Sequence, residues 1–434
     1  MPIGVAPSSF PGPRDQAGLE PIPKMTEPAT PPSAWKTRAG GHASRVARWG
    51  VYVFAAGAPV SIVAYEVGWG LAFLGVVAAL ALGAFRYRRT PLDLPLALFL
   101  ATEVISVVFS QDRAQSLRSL RGEWVLFSFP LFAQAIRDSR QLRRAYAVLA
   151  VSATVIAAYA IVQTLGGYDP WRHEALEPVG GVFIATGFFN HHLTYGGSVL
   201  ITALLAAASL MAPGHARAAA RWAGALVVQT AALIGSFART AWVGFVAAFA
   251  VAALTARREV RRAVLLAGGA AIVIAALLPP VQARFGSLAE LLDSPRTRLW
   301  QTALRIWQDH PLTGAGLGTY AGLFPRYHVP GVYHATNNAH CEVLDILSGC
   351  GLLGLAAFVF LWYRFFRAAA GAYRRCGAGD ARRPLLLGGI LVAVGILVGG
   401  MGQCFLLDEE VAVPLWFVLA GTLVAAGEEH GRSS

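Results

Sequence analysis

The chain reads as an all-α polytopic membrane protein, with about 12 transmembrane helices and one large outer loop that contains an amphipathic helix. Three observations predict this class. Of 434 residues, 56% are hydrophobic and only 14% are charged, and the mean hydropathy is +0.53; a soluble domain is about a quarter charged. Apolar runs of about 18 or more residues, long enough to cross a bilayer as a helix, recur from end to end. Basic residues fall in short clusters between those runs, as membrane topology requires. Repeated open strands cannot satisfy their backbone groups in lipid, so the spans are helical. The same clustering excludes nucleic acid as the partner of a chain whose formal charge is +12.

Residues 1–48, rich in Pro, Gly, Ala and Ser, cannot bury a core and read as a disordered cytoplasmic tail. They carry no signal-peptide pattern, because their basic residues are spread out and no cleavage site follows a short apolar region. Spans are expected at 49–66, 67–85, 91–109, 123–136, 145–165, 193–211, 222–238, 241–256 and 263–280. These make up the membrane segment 49–280. An outer loop fills 281–340, further spans at 341–363, 384–406 and 410–427 make up 341–427, and 428–434 is a second cytoplasmic tail.

With the N-terminus inside, the inner loops RYRRT, RDSRQLRR, HARAAAR, ARREVRR and YRFFRAAAGAYRRCGAGDARR hold most of the 36 basic residues, which sets both ends in the cytoplasm. The outer basic residues are Arg113, Arg118, Arg121, Arg172, Arg239, Arg284, Arg296, Arg298, Arg305 and Arg326. None is lysine. Arginine offers phosphate a planar, permanently charged fork, so an arginine-only outer face points to an anionic ligand. The alternative is solvation and snorkelling at the interface.

Arg239 lies in GSFARTAWVGF, where only Arg239-Thr240 interrupts the apolar residues. A turn this tight keeps the guanidinium at or below the outer surface, where it needs a partner: an acid on a neighbouring span, or a lipid-linked phosphate. In the outer loop, Trp300, Ala303, Leu304 and Trp307 fall on one face of a helix. Ser294-Pro295 is a helix start. Helix starts favour anions, which makes Arg296 and Arg298 an anion-site candidate, with Arg121 a further one beside the start of a span. Gly314-Ala315-Gly316-Leu317-Gly318 follows, allowing a tight turn and close approach of another backbone; it lacks the lysine and spacing of a nucleotide loop.

Asn337-Asn338-Ala339-His340 then leads into the tenth span. Asn is a good helix cap, and on the first turn the helix dipole lowers the pKa of an imidazole. His340 is therefore either a proton acceptor or an interfacial histidine making one hydrogen bond. Glu342 and Asp345 are placed to orient it or to neutralise an arginine. At the outer end of span six, Asn190, His191 and Tyr195 fit sugar-hydroxyl contacts or an interfacial belt. Adjacent His191 and His192 point to different helix faces and do not suggest a shared metal, and no other spacing suggests one. Cys341 and Cys350 are too far apart for adjacent turns of one helix, which argues against a disulfide.

The segments SFARTAWVGF, RTRLWQTALRIWQDHPLTGAGLGTY and NNAHCEVLDILSGCGLLGL, in that order around one large outer loop, resemble the O-antigen ligase and polymerase superfamily of bacterial inner-membrane glycosyltransferases. The resemblance puts His340 on the family's His-Asn site, with Cys341 standing where the family has Asn. It favours Arg296 over Arg298, because Arg296 lies four before Trp300 as in the family's Arg-x-x-x-Trp pattern. GFFNHHLTYGG is closer to the ligases.

The resemblance implies a multi-pass inner-membrane enzyme with its site in the periplasmic loop. Its donor would be O-antigen on undecaprenyl pyrophosphate and its acceptor a sugar hydroxyl of the lipid A core oligosaccharide. It implies no cofactor, nucleotide or metal. His340, Arg239 and Arg296 would be catalytic, with Arg298, Arg121, Asn190, His191, Tyr195 and Asn338 binding substrate. Rival expectations are an O-antigen polymerase and a protein O-oligosaccharyltransferase. A secondary transporter would need related halves with broken helices and midplane charges, and the sequence shows no such symmetry.

Overall fold

The computed structural model describes residues 34–211, 216–255, 295–331, 336–377 and 379–428, together with positions 1, 4, 279 and 282. The expected span at 263–280 falls almost wholly outside these residues, as do Arg284 and His334.

Helices α1 (Ala34–Gly57) and α2 (Ile62–Ala81) form the first hairpin. Helix therefore starts inside the stretch expected to be tail. The break falls at Ala58-Pro59-Val60, where proline disfavours continuing a helix. Ser61 then caps α2, its Oγ accepting from Ala64 N at 3.1 Å. Hydropathy alone places this break near residue 66, because apolar residues run straight through the turn. The two backbones touch: a Cβ on Gly68 would lie 2.1 Å from Phe54 N.

Next come α3 (Asp93–Val108) and α4 (Arg113–Leu120), then a 3-10 stretch (Arg121–Phe127) and α5 (Ser128–Ala135). The span expected at 123–136 is thus not one helix. Helix α6 (Ser139–Gly166) leads into two small antiparallel hairpins, β1 (Tyr168–Asp169) with β2 (Glu174–Ala175) and β3 (Pro178–Val179) with β4 (Val182–Phe183). After them come α7 (His192–Leu210), α8 (Ala216–Gly235) and α9 (Arg239–Thr255). The described chain then resumes with α10 (Pro295–Asp309), α11 (Tyr320–Tyr327), α12 (Glu342–Arg375), α13 (Arg383–Gly399) and α14 (Glu409–Gly427).

Among the described residues six helices are long and apolar enough to cross a membrane: α2, α6, α7, α8, α12 and α14. Helices α9 and α13 are apolar but have 17 residues each. The total of about 12 spans stays an expectation. Helices α7 and α14 form the centre, with 83% of each apolar stretch buried against 22% in α8. A helix that is apolar all round belongs inside. Helix α13 packs on α7, α9 and α14. Its approach to α9 is close, since a Cβ on Gly244 would lie 2.2 Å from Gly395 O; small residues allow such contact between membrane helices.

Helix α12 is broken at Gly351, whose φ of 66° and ψ of −161° are outside helical space. The segment after α10 repairs the break. Leu352 N and Leu353 N donate to Pro311 O and Leu312 O at 2.9 and 3.1 Å, while Ala315 N and Gly316 N donate to Ser348 O and Gly349 O at 2.8 and 3.0 Å. These bonds replace helical ones that the kink removes. The glycine-rich turn is needed for this contact, because a Cβ on Gly314 would lie 2.3 Å from Gly349 O. The strap ties the end of α10 to the start of α12.

Helix α10 is amphipathic, but the face it buries is rotated from the expected one. Leu299, Thr302, Ala303 and Ile306 are buried, and Leu304 is exposed. The apolar face rests on α11 and the strap through Tyr320, Phe324, Tyr327 and Ala315. The spacing reveals a stripe; the position of α11 decides which edge of it is covered.

Candidate functional site

The starts of α7, α9 and α12 and the end of α13 meet at one end of the bundle. His192 Nδ1 lies 2.8 Å from Ser236 O, in the turn before α9. Glu342 N donates to Gly400 O at 2.8 Å, and Thr194 Oγ1 donates to Asp408 Oδ2 at 2.5 Å. The loop after α13 carries Gly402, where an added Cβ would lie 2.7 Å from Thr240 Cγ2 and 3.7 Å from Arg296 Nη1. The heads of α9 and α10 therefore converge on this loop, and Thr240 and Arg296 flank the same glycine.

Arg239 is the first residue of α9 and Arg296 the second of α10; both are half-buried. Each sits at the positive end of its helix dipole, where a cation is disfavoured and an anion is stabilised. A cation held at a helix start makes a place suited to an anion. Arg298 is placed differently. Its guanidinium lies flush on Gly331, where an added Cβ would overlap Nη1, and Arg305 Nη1 donates to His328 O at 3.2 Å. These two arginines hold the 328–331 segment onto α10.

His340 does not lie on the first turn of α12, which starts at Glu342 with Cys341 as its cap. It stands just before the helix with a φ of 48°, a conformation uncommon for non-glycine residues. Asn338 supports this turn, its Oδ1 accepting from His340 N at 2.9 Å. The imidazole partner is neither Glu342 nor Asp345. His340 Nδ1 lies 3.0 Å from Gln403 Oε1. An amide oxygen only accepts, so Nδ1 carries the hydrogen and Nε2 presents its lone pair. Burial of the ring pulls its pKa below the ordinary imidazole range; the Gln403 contact opposes this, and the charges of Arg296 and His191 add to the lowering. A neutral imidazole beside arginines can accept a proton. The electrostatic coupling also places His191 and Arg296 close to His340.

His191 caps α7, its Nδ1 accepting from Leu193 N at 3.2 Å, so its neutral form carries hydrogen on Nε2. Burial lowers its pKa as well. The rings of His191 and His192 do not diverge onto separate faces, because His191 precedes the helix; their centroids are 4.8 Å apart. Asn190 is exposed beside them, whereas Tyr195 is buried, only 2% exposed, and packs on Phe189. Arg121 is exposed at the head of the 3-10 stretch.

The two acids near His340 have backbone partners. Glu342 Oε2 accepts from Leu406 N at 3.1 Å and Asp345 Oδ1 from Ala339 N at 3.3 Å. Both also line a cavity of about 40 Å³ with Glu103 and Glu123, which has room for two or three waters at about 15 Å³ each. Among the described residues no group of three or more His, Cys, Asp or Glu side chains is arranged to hold a metal ion.

Sequence reasoning missed Gln403 and the role of Gly402. Both sit in Gly399-Gly400-Met401-Gly402-Gln403, which hydropathy absorbs into a span at 384–406. Helix α13 stops at Gly399, and a glycine-rich stretch ending in a polar residue was the available signal.

No curated protein matches the chain. A family model described as O-Antigen ligase matches residues 224–359. The matched stretch contains Arg239, Arg296, Arg298 and His340, whereas His191 and Gln403 complete the site from outside it. Over residues 224–359, which hold Arg239, Arg296 and His340, the chain is similar to the O-antigen ligase family.

Proposed function

We propose that the chain is an O-antigen ligase. It moves O-antigen polysaccharide from undecaprenyl pyrophosphate to a sugar hydroxyl of the lipid A core oligosaccharide, at the periplasmic side of the bacterial inner membrane, with both termini in the cytoplasm. The observation that carries this reading is the pairing of His340 Nδ1 with Gln403 Oε1, next to Arg296 at the head of α10. One group is ready to take a proton, and its neighbours are suited to pyrophosphate.

In the reaction, the acceptor oxygen attacks the anomeric carbon and its proton passes to His340 Nε2. The bond from that carbon to the pyrophosphate oxygen breaks, and the electron pair leaves with the pyrophosphate. Arg239, Arg296 and the first-turn amides stabilise the charge that grows there, the work a metal ion does elsewhere. Attack opposite the leaving group inverts the anomeric centre. Arg298 contributes through the loop it holds, and Asn338 through the backbone of His340. Asn190 and His191 Nε2–H are placed as donors to sugar hydroxyls. Tyr195 shapes the wall behind them, and Arg121 is an outlying contact for the lipid-linked donor. The arginine distribution supports the orientation.

The test is the product made by the purified chain in bilayers containing lipid-linked O-antigen, core-terminated lipopolysaccharide and a periplasmic protein extract. Polymer on the core is expected. A lengthened lipid-linked polymer would make it a polymerase, and glycosylated protein would make it a protein O-oligosaccharyltransferase.

A further inference from the structure

The hairpin region between α6 and α7 has no part in the reaction above, yet it is firmly built. Asp169, only 1% exposed, organises it. Its Oδ1 accepts from Tyr159 Oη at 2.5 Å, Trp171 N at 2.9 Å and Arg172 N at 3.1 Å, and its carbonyl accepts from His173 N at 2.8 Å. Asp169 Oδ2 pairs with Arg172 Nη1 at 3.5 Å. Arg172 reaches onward, with Nη2 donating to Phe188 O at 2.7 Å and Nη1 to Thr186 Oγ1 at 3.4 Å.

All this rigidity presents a large aromatic ring on the outside of the fold. Trp171 is 71% exposed and its neighbour Tyr168 is 45% exposed. The indole is backed by Phe188 at a centroid distance of 5.5 Å and 31° between planes, and Phe188 is held edge-on by Tyr159 at 4.7 Å. Burial would usually claim an indole; here a buried carboxylate and an arginine keep the turn that holds it out. Phe188 precedes His191 by three residues, so the platform borders the site within about 10 Å of extended chain.

Resting on the proposed function, we infer that Trp171, with Phe188 behind it and Tyr168 beside it, is a stacking platform for a sugar ring of the acceptor saccharide. A pyranose presents an apolar face that an indole covers, and polar groups at the edge fix its hydroxyls. Asn190 and His191 Nε2–H supply that edge. The platform joins the site through the segment bearing His191, which couples to the proton-accepting His340, whereas the pyrophosphate arginines head α9 and α10.

The test is calorimetric binding of lipid-free core oligosaccharide to the full chain in nanodiscs. Trp171→Ala should weaken binding roughly tenfold, the size of one aromatic stacking contact. Trp171→Phe should restore most of it. Unchanged affinity in Trp171→Ala, or no binding by the wild type, overturns the platform. Unchanged affinity together with poorer nanodisc incorporation would make Trp171 a membrane anchor instead. If the wild type binds the saccharide but transfers nothing to it, the proposed function fails while the platform stands.

Discussion

The two sides of the α12 start differ in kind, with buried acids on the inner side and arginines at helix starts on the outer side. On the inner side Glu342 and Asp345 accept from backbone amides at Leu406 and Ala339. These bonds tie the start of α12 to the Leu406 loop and to the turn before Cys341, so the two acids serve the fold. On the outer side Arg239 and Arg296 head their own helices, against the dipole, and Arg296 reaches the Gly402 loop and acts on His340. Cations at helix starts gain nothing from the dipole, and under the proposed function a polyanionic ligand accounts for their position.

The largest expected effect tests the outer side. His340→Ala should lower transfer to the core by about 10²–10⁴-fold, the range for a lost general base, while donor binding measured by filter retention persists. Normal capping of lipopolysaccharide in that variant would remove His340 from the chemistry. Next in size, Arg239→Gln and Arg296→Gln should each lower kcat/KM by about 10²-fold. Arg296→Lys should rescue only in part, because lysine lacks the fork. Full rescue would reduce its role to a point charge.

A smaller change sharpens the tautomer argument. Gln403→Glu places a carboxylate on His340 Nδ1, which favours the imidazolium and should raise its pKa by about one unit. The base works only when neutral, so the acidic limb of the rate profile should move to higher pH by a similar amount. In the wild type that limb should lie below the ordinary imidazole range, since burial and Arg296 lower the pKa. A profile unmoved by Gln403→Glu would uncouple Gln403 from catalysis. The smallest effect on chemistry is expected on the inner side. Asp345→Ala leaves the amide of Ala339 without its partner, which should lower stability by about 1–3 kcal/mol in thermal unfolding while transfer per folded molecule changes little. A loss of transfer matching that of His340→Ala would erase the distinction between the two sides.

Much of the architecture was legible. Spans expected at 193–211, 241–256 and 410–427 correspond to His192–Leu210, Arg239–Thr255 and Glu409–Gly427, because an apolar run ending at polar residues has only one reading. The α1–α2 turn was not legible from hydropathy, since Pro59 interrupts the backbone without interrupting the apolar composition. The 3-10 stretch at Arg121–Phe127 escaped because Trp124–Phe127 run without a break into the apolar residues of α5. Within the site, Arg239, Arg296 and His340 stood out as polar residues where polarity is expensive. Gln403 did not, because one glutamine near a span end is unexceptional until its partner is known.

Composition and order along the chain determined by themselves that this protein is helical and apolar, that arginines lie at the starts of helices, and that a glycine turn precedes His340. Those properties are local, set by each residue's transfer energy and by its neighbours a few positions away. Only the tertiary structure decided that His340 meets Gln403, 63 residues on, that Arg296 reaches the Gly402 loop beside Thr240, and that a strap mends the break at Gly351. Such contacts depend on how the helices pack, and packing is settled by all of their faces together.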